Sequence, residues 1–152
     1  MLPQFRMVIG VAVVLLIIVA AIFWTTRSNA PVPDYQNRVA IPGIESHVVT
    51  LWPEPSSPSV GTTELTAQIG DPSGMPIGAT EVGFRVFQSG GIPETEIDGT
   101  YVSDAPTQDF LGNGHGYRAT ASFDEPGEWI VEVRFVLGDV ERTTQFEIEV
   151  DD

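Results

Sequence analysis

The sequence predicts an all-β domain, an antiparallel sandwich of six to seven strands, preceded by one N-terminal transmembrane helix. Apolar and polar residues alternate with a period of two from residue 46 onward, which is typical of half-buried strands. None of the twelve prolines falls inside the six clearest strand segments. Six or seven short strands with turn residues between them favour an immunoglobulin-like arrangement.

The N-terminal helix is predicted from an uninterrupted apolar run. Residues 7–24 contain no charge, and 18 helical residues span about 27 Å, close to the thickness of a bilayer core. We therefore expect a short cytoplasmic N-terminus at 1–6 and a signal anchor at 7–24 that contacts the lipid bilayer. A cleaved signal peptide is the alternative, although its best cleavage site is followed by Pro31. An inverted topology also stays open, because Arg6 and the amino terminus only narrowly outweigh Arg27.

Residues 25–45 are predicted to form a proline-rich tether. Pro31, Pro33 and Pro42 prevent a regular helix and favour extended chain. Residues 46–152 are then the folded domain.

The strands of that domain follow from alternation and from the turn residues that interrupt it. The first is a β-branched run that stops at two prolines, and the next ends at a Gly-Asp-Pro-Ser-Gly turn. The last two strands are joined by Gly138-Asp139 and form a hairpin. The predicted strands, of which the short one at 100–102 is the seventh, are His47–Trp52, Leu65–Ile69, Val82–Phe87, Thr100–Val102, Tyr117–Phe123, Glu128–Leu137 and Val140–Val150.

One side of each strand is expected to face a common core. Each large side chain that is buried there stabilises the fold by roughly 1.5–3 kcal/mol before entropy is subtracted. The predicted core residues are Leu65, Ile69, Val82, Phe84, Val86, Tyr117, Phe123, Trp129, Val131, Val133, Phe135, Phe146 and Ile148.

Composition excludes several classes of function. The 152 residues include no cysteine, which removes disulfides, thiolate nucleophiles and Cys-ligated metals. The formal net charge is −14, from 7 basic and 21 acidic residues, so nucleic-acid phosphates would be repelled. Every acid lies beyond residue 30, where five arginines leave a charge of −16.

Three stretches carry a resemblance to a known family: residues 51–86, 114–123 and 125–135. The first contains Gly61, Leu65, Asp71, Gly74, Pro76, Ala79 and Val82; the second contains Gly116, Tyr117 and Ala119; the third contains Pro126, Gly127, Trp129, Val131 and Val133. In this pattern the chain resembles the YtkA-like/FixH-like domain over about residues 50–137. The resemblance implies an extracytoplasmic, immunoglobulin-like accessory domain associated with copper handling or with assembly of membrane haem–copper oxidases.

Metal ligands are the main chemical candidates. Many members of that family have a Met/His-rich segment mid-domain, whereas residues 88–116 here contain one histidine and no methionine. A copper site would need His47, Met75 and His115 to converge from separate segments. The alternative is that both histidines are solvated, in a loop or at a strand edge. Glu94, Glu96 and Asp98 with Gly99 resemble half of a calcium loop, but the twelfth position is Ala105.

Function is therefore expected to lie in binding. No Gly-x-Ser-x-Gly elbow or phosphate loop is present, so we expect neither an enzyme nor a cofactor. The sequence predicts a membrane-anchored, extracytoplasmic accessory module with a membrane-protein partner of unknown identity and no nucleic acid. The alternative is a periplasmic protein that binds copper or calcium. Phe87 could be exposed as part of a contact surface or covered by the loop that follows it.

Overall fold

The computed structural model describes residues 35–41, 44–93, 95–106 and 114–152. The predicted N-terminus 1–6, the predicted transmembrane helix 7–24 and the first part of the predicted tether lie outside these residues. Among the residues described, no helix has the length and apolar character needed to cross a membrane.

Two antiparallel sheets make up the described part of the chain, as the two-residue alternation predicted. One sheet has five strands in the order β1-β2-β3-β7-β6, and the other has four in the order β5-β4-β8-β9. The strands are β1 Tyr35–Ile41, β2 Ile44–Glu54, β3 Gly61–Gly70, β4 Glu81–Gln88, β5 Ile97–Asp98, β6 Thr100–Val102, β7 Gly116–Phe123, β8 Gly127–Leu137 and β9 Val140–Val150.

The sheet begins earlier than the sequence predicted, because residues assigned to the tether form β1. This strand pairs with β2 from Tyr35↔Leu51 to Ile41↔Ile44, so the folded unit includes residues placed before its expected start at 46. β2 also continues through Pro53, where the sequence predicted that it would stop. Pro53 lies beyond the last described pair with β1 and opposite Leu65 of β3, so its missing N–H does not interrupt the β1–β2 ladder.

The core lies between the two sheets and contains all thirteen predicted core residues. β2 adds Val49 and Leu51, which belong to the inner face together with Val39 of β1. Phe123 and Trp129 meet edge to face with ring centroids 5.1 Å apart. Such aromatic contacts add to the stabilisation gained from burial alone.

The pairings define two ends of the sandwich. At one end, which we call the Trp129 end, β3 and β8 begin and β4, β7 and β9 finish. The opposite end carries the turn after β3 and the β8–β9 turn at Gly138.

The two sheets approach each other at the edge formed by β1 and β9. The side-chain Nδ2 of Asn37 donates a hydrogen bond of 2.6 Å to the backbone oxygen of Gln145 in β9. Glu141, Glu147 and Glu149 are exposed along the same edge strand. One backbone group of the β9 edge is therefore already hydrogen-bonded, and the edge carries exposed glutamates.

Candidate partner-binding surface

The outer face of the four-stranded sheet carries a network of ion pairs around Glu96. The Glu96 Oε1 atom accepts from Arg134 Nε at 2.8 Å and lies 2.6 Å from Arg134 Nη2. Its Oε2 atom lies 3.1 Å from Arg85 Nη2. Arg85 also reaches Glu132, with Nη1 3.1 Å from Oε1. One carboxylate thus joins the segment before β5 to two neighbouring strands.

Gly83 provides the space in which the Glu96 side chain lies. An added Cβ at Gly83 would fall 2.4 Å from Glu96 Oε1 and 2.5 Å from its Cδ. The backbone of Gly83 does not need a glycine, because its φ is not in the left-handed region. A glycine within a strand often marks such a close approach, so this residue is the sequence signal from which the position of Glu96 could have been inferred.

The network fixes the charge state of its members. The hydrogen bond from Arg134, together with the positive charges of Arg134 and Arg85, lowers the pKa of Glu96 below its ordinary value of 4.5. The hydrogen bond to Glu96 is also the largest cause of a raised pKa at Arg134. Both groups therefore stay charged at neutral pH. They form a charge-paired surface on this face of the sheet.

Apolar side chains continue this face toward the Trp129 end. Phe87 of β4 lies opposite Ile130 of β8, and both are partly exposed. Ile92, in the loop after β4, is 88% exposed. Phe87 is partly exposed, so it is neither fully exposed on a contact surface nor fully covered by the loop that follows it. An apolar strip therefore borders the ion-paired part of the sheet.

A shallow cleft of about 230 Å³ lies at this end, and the three apolar residues that line it are Phe87, Ile92 and Trp129. The remaining lining residues are Gln88, Asp124 and Glu125. Trp129 is 4% exposed, and its Nε1 donates to the backbone oxygen of Glu125 at 3.0 Å. The Gln88 Nε2 atom donates to Glu125 Oε2 at 3.3 Å. The cleft thus combines three apolar side chains with the exposed acids Asp124 and Glu125, which form its acidic rim, and its exposed surface is more polar than apolar.

The predicted copper ligands belong to segments at the opposite end. His47 in β2 and His115 before β7 lie on either side of β3, so their strands are about 10 Å apart. His47 is 7% exposed and its Nδ1 has no hydrogen-bond partner among the described residues, whereas Met75 is 44% exposed. The ring of His115 stacks on Tyr101, whose hydroxyl group hydrogen-bonds to His115 Nδ1.

The turn that carries Met75 is held by an aspartate. Asp71 Oδ1 accepts hydrogen bonds from the backbone N–H groups of Ser73, at 2.8 Å, and Met75, at 3.0 Å. The side-chain hydrogen bond from Ser73 is the largest cause of a lowered pKa at Asp71. The carboxylate is therefore used to shape the turn.

The predicted calcium ligands are not grouped as that motif requires. Glu94 lies outside the described residues, and Glu96 is bound to two arginines. Asp98 is exposed in β5, where it pairs with Gly83. Ala105, at the position where a bidentate acid is needed, is 2% exposed. In the part of the chain that is described, no three His, Asp or Glu side chains are grouped as metal ligands would be.

Comparison with protein-family models, curated proteins and solved structures found no match to this chain. The resemblance to the YtkA-like/FixH-like domain stays a prediction. The cleft at the Trp129 end was not predicted from the sequence. Ile92 lies in the loop after β4 and the acidic rim begins 32 residues later, at Asp124, so the two come together only when β4 pairs with β8.

Proposed function

We propose that this protein is a membrane-tethered, extracytoplasmic accessory module that binds another protein through the outer face of its four-stranded sheet. The observation that carries the proposal is the combination of paired charges and an apolar strip on that face with an acidic-rimmed cleft at its Trp129 end. Such a surface offers shape and charge to a partner. Binding, rather than catalysis, is the activity that this chemistry supports.

The membrane location and the immunoglobulin-like topology belong to the same proposal. The apolar run at 7–24 supports an anchor, and Arg6 with the amino terminus, which narrowly outweigh Arg27, support a domain on the outer side. On the basis of the family resemblance, we propose that the partner belongs to a membrane respiratory or metal-transport complex.

The test is to isolate the intact chain from membranes after cross-linking and to identify what is bound. A carboxylate-directed or photoactivated reagent is needed, since the chain contains no lysine. We expect a stoichiometric membrane-protein partner whose recovery falls when Phe87 and Ile130 are both changed to serine. Recovery of the isolated chain alone would refute the binding role.

Protease treatment of sealed cells tests the location separately. We expect external protease to digest residues 46–152 without lysis of the cells. Protection of that region until the membrane is opened would refute the extracytoplasmic assignment.

A second function, metal binding, is favoured by one observation, the buried Nδ1 of His47 without a hydrogen-bond partner among the described residues. Buried polar atoms are normally paired, so an unpaired one is a possible ligand. Calorimetric titration of the full chain with Cu(I), Cu(II) and Ca²⁺ tests this function. Stoichiometric copper binding that is lost in His47→Gln and kept in His115→Gln would support a site at His47. The absence of any stoichiometric binding would refute it.

A further inference from the structure

We propose that the cleft at the Trp129 end binds an exposed segment of a partner protein in which a large apolar side chain lies next to arginine or lysine. This inference rests on the proposed binding function and adds the chemistry of the partner. It is carried by three properties of the cleft, which are its size, the three apolar side chains in its lining and the charge of its rim.

The size of the cleft fits a side chain better than a small molecule. Its volume is about 230 Å³, and pockets that enclose drug-sized ligands have roughly 300–1,000 Å³. A leucine, methionine or phenylalanine side chain can enter such a space, while the chain that carries it remains outside.

The lining explains why the inserted group is apolar. Ile92 is 88% exposed and lies beside Phe87 and Trp129. Single exposed apolar residues are common, but an exposed isoleucine that lines a cleft together with Phe87 and Trp129 gains stabilisation when a partner covers it. Each additional square ångström of apolar surface that is removed from water contributes roughly 25 cal/mol.

The loop that carries Ile92 is already held in place. The backbone N–H of Ser89 donates to the oxygen of Glu128 at 3.0 Å, and the N–H of Gly91 donates to the oxygen of Gln88 at 2.8 Å. Gly90 has a φ of +82°, which glycine adopts without strain. A preformed wall reduces the entropy that binding must remove.

The rim explains why the flanking groups are basic. Asp124 and Glu125 are both exposed, and none of the residues that line the cleft is basic. Arg85, which is on the outer face of β4, is bound to Glu96 and Glu132. It therefore does not neutralise the acids of the rim. The rim therefore attracts arginine or lysine and repels the phosphates of nucleic acids and anionic lipids.

Binding of defined peptides to the full chain in mild detergent tests the proposal. The probe is a Gly/Ser-rich peptide with a central Arg-Leu-Arg; one companion has Arg-Ser-Arg and the other Glu-Leu-Glu. We expect calorimetry to detect binding of the first peptide, with affinity reduced at least about tenfold for each companion. Equal affinity for Arg-Leu-Arg and Arg-Ser-Arg, or no binding of Arg-Leu-Arg, would overturn the proposal.

Variants of the cleft give the second arm. Ile92→Ser and Glu125→Arg are each expected to weaken the Arg-Leu-Arg peptide about tenfold. The matched controls at the opposite end are Met75→Ser, an exposed apolar residue, and Asp139→Arg, an exposed acid in a turn; both should leave affinity unchanged. An equal loss in Asp139→Arg would show attraction by net charge alone, and an equal loss in Met75→Ser would show that any exposed apolar residue has the same effect. Either result would overturn the assignment to the cleft.

The same variants separate this inference from the proposed function. If the membrane partner is recovered equally with wild type and with the double variant I92S/E125R, the binding function stands and the cleft is not its site. If no partner is recovered with wild type but the peptide pattern holds, the cleft assignment stands and the accessory function fails.

Discussion

Replacing Gly83 by alanine should break the link between Glu96 and the two arginines. The added Cβ would lie 2.4 Å from Glu96 Oε1 and 2.8 Å from its Cγ, which no real Cβ contact tolerates. Because the obstructed atoms belong to a side chain, we expect Glu96 to move away while the β4–β8 ladder remains. The direct cost is the loss of its bonds to Arg134 and Arg85.

The magnitude follows from the exposure of the groups. The side chains of Arg134 and Glu96 are 19% and 22% exposed, between a surface pair and a buried one. Hydrogen bonds to charged groups contribute about 1.5–3 kcal/mol and exposed ion pairs about 0.2–1 kcal/mol, so we expect the link to contribute about 1–2 kcal/mol. Alanine in place of glycine restores roughly 0.4–1 kcal/mol by restricting the unfolded chain. The net loss is then about 1 kcal/mol.

Chemical denaturation of the full chain, followed by circular dichroism, measures this loss. In a Glu96→Ala background the same Gly83→Ala change should be neutral or stabilising. The coupling free energy between the two substitutions is then about 1–2 kcal/mol. Gly78→Ala is the matched control, since an added Cβ there meets no atom within 4 Å. Equal effects of Gly83→Ala with and without Glu96 would refute the reasoning.

Three further predictions concern the same fold. Because the pKa of Glu96 is lowered in the folded state, the stability that its carboxylate contributes is present above its ordinary pKa of 4.5 and is lost as the pH falls below that value. Denaturation between pH 7 and pH 3 should therefore show a steeper fall in the free energy of unfolding for wild type than for Glu96→Gln. Parallel curves for the two proteins would contradict this. Trp129→Ala should lower the free energy of unfolding by about 3–5 kcal/mol, and a loss below about 1 kcal/mol would contradict its place in the core. Tyr117→Phe should cost about 1–2 kcal/mol, because the part-buried hydroxyl group accepts from Ala79 N at 2.8 Å and donates to Ala79 O. Tyr101→Phe is the comparison: it removes a hydroxyl group that hydrogen-bonds to His115 on a ring that is 53% exposed, so it should cost less. Equal melting temperatures for the two variants would count against the prediction.

β7, β8 and β9 could be predicted from sequence because each buries one face and leaves the other more exposed. Alternation in Trp129, Val131, Val133 and Phe135 reflects a core on one side and solvent on the other, and the structure confirms it. β1 was missed because Pro33 and Pro42 on either side of it suggested a tether. β5 has only two residues, too few for any periodicity.

The positions that carry the family resemblance have structural roles in the fold. Asp71 accepts the hydrogen bonds of its turn, and Gly74 has a φ of +86°. Tyr117 ties Ala79 to β7, while Trp129 fills the core. The pattern therefore predicts how the chain folds. The cleft could not be predicted in this way, because Ile92 and Glu125 are surface residues whose proximity depends on the pairing of β4 with β8.

The capped edge of the sandwich affects how copies of the protein behave when they are crowded. A free edge strand can recruit the same strand of a neighbouring molecule, and the ladder then grows into a filament. In β9 the carbonyl oxygen of Gln145 already accepts the Asn37 amide, and the glutamates along the strand repel their counterparts on another copy. We therefore expect pairing of this strand with a second copy to be disfavoured when the domain is concentrated.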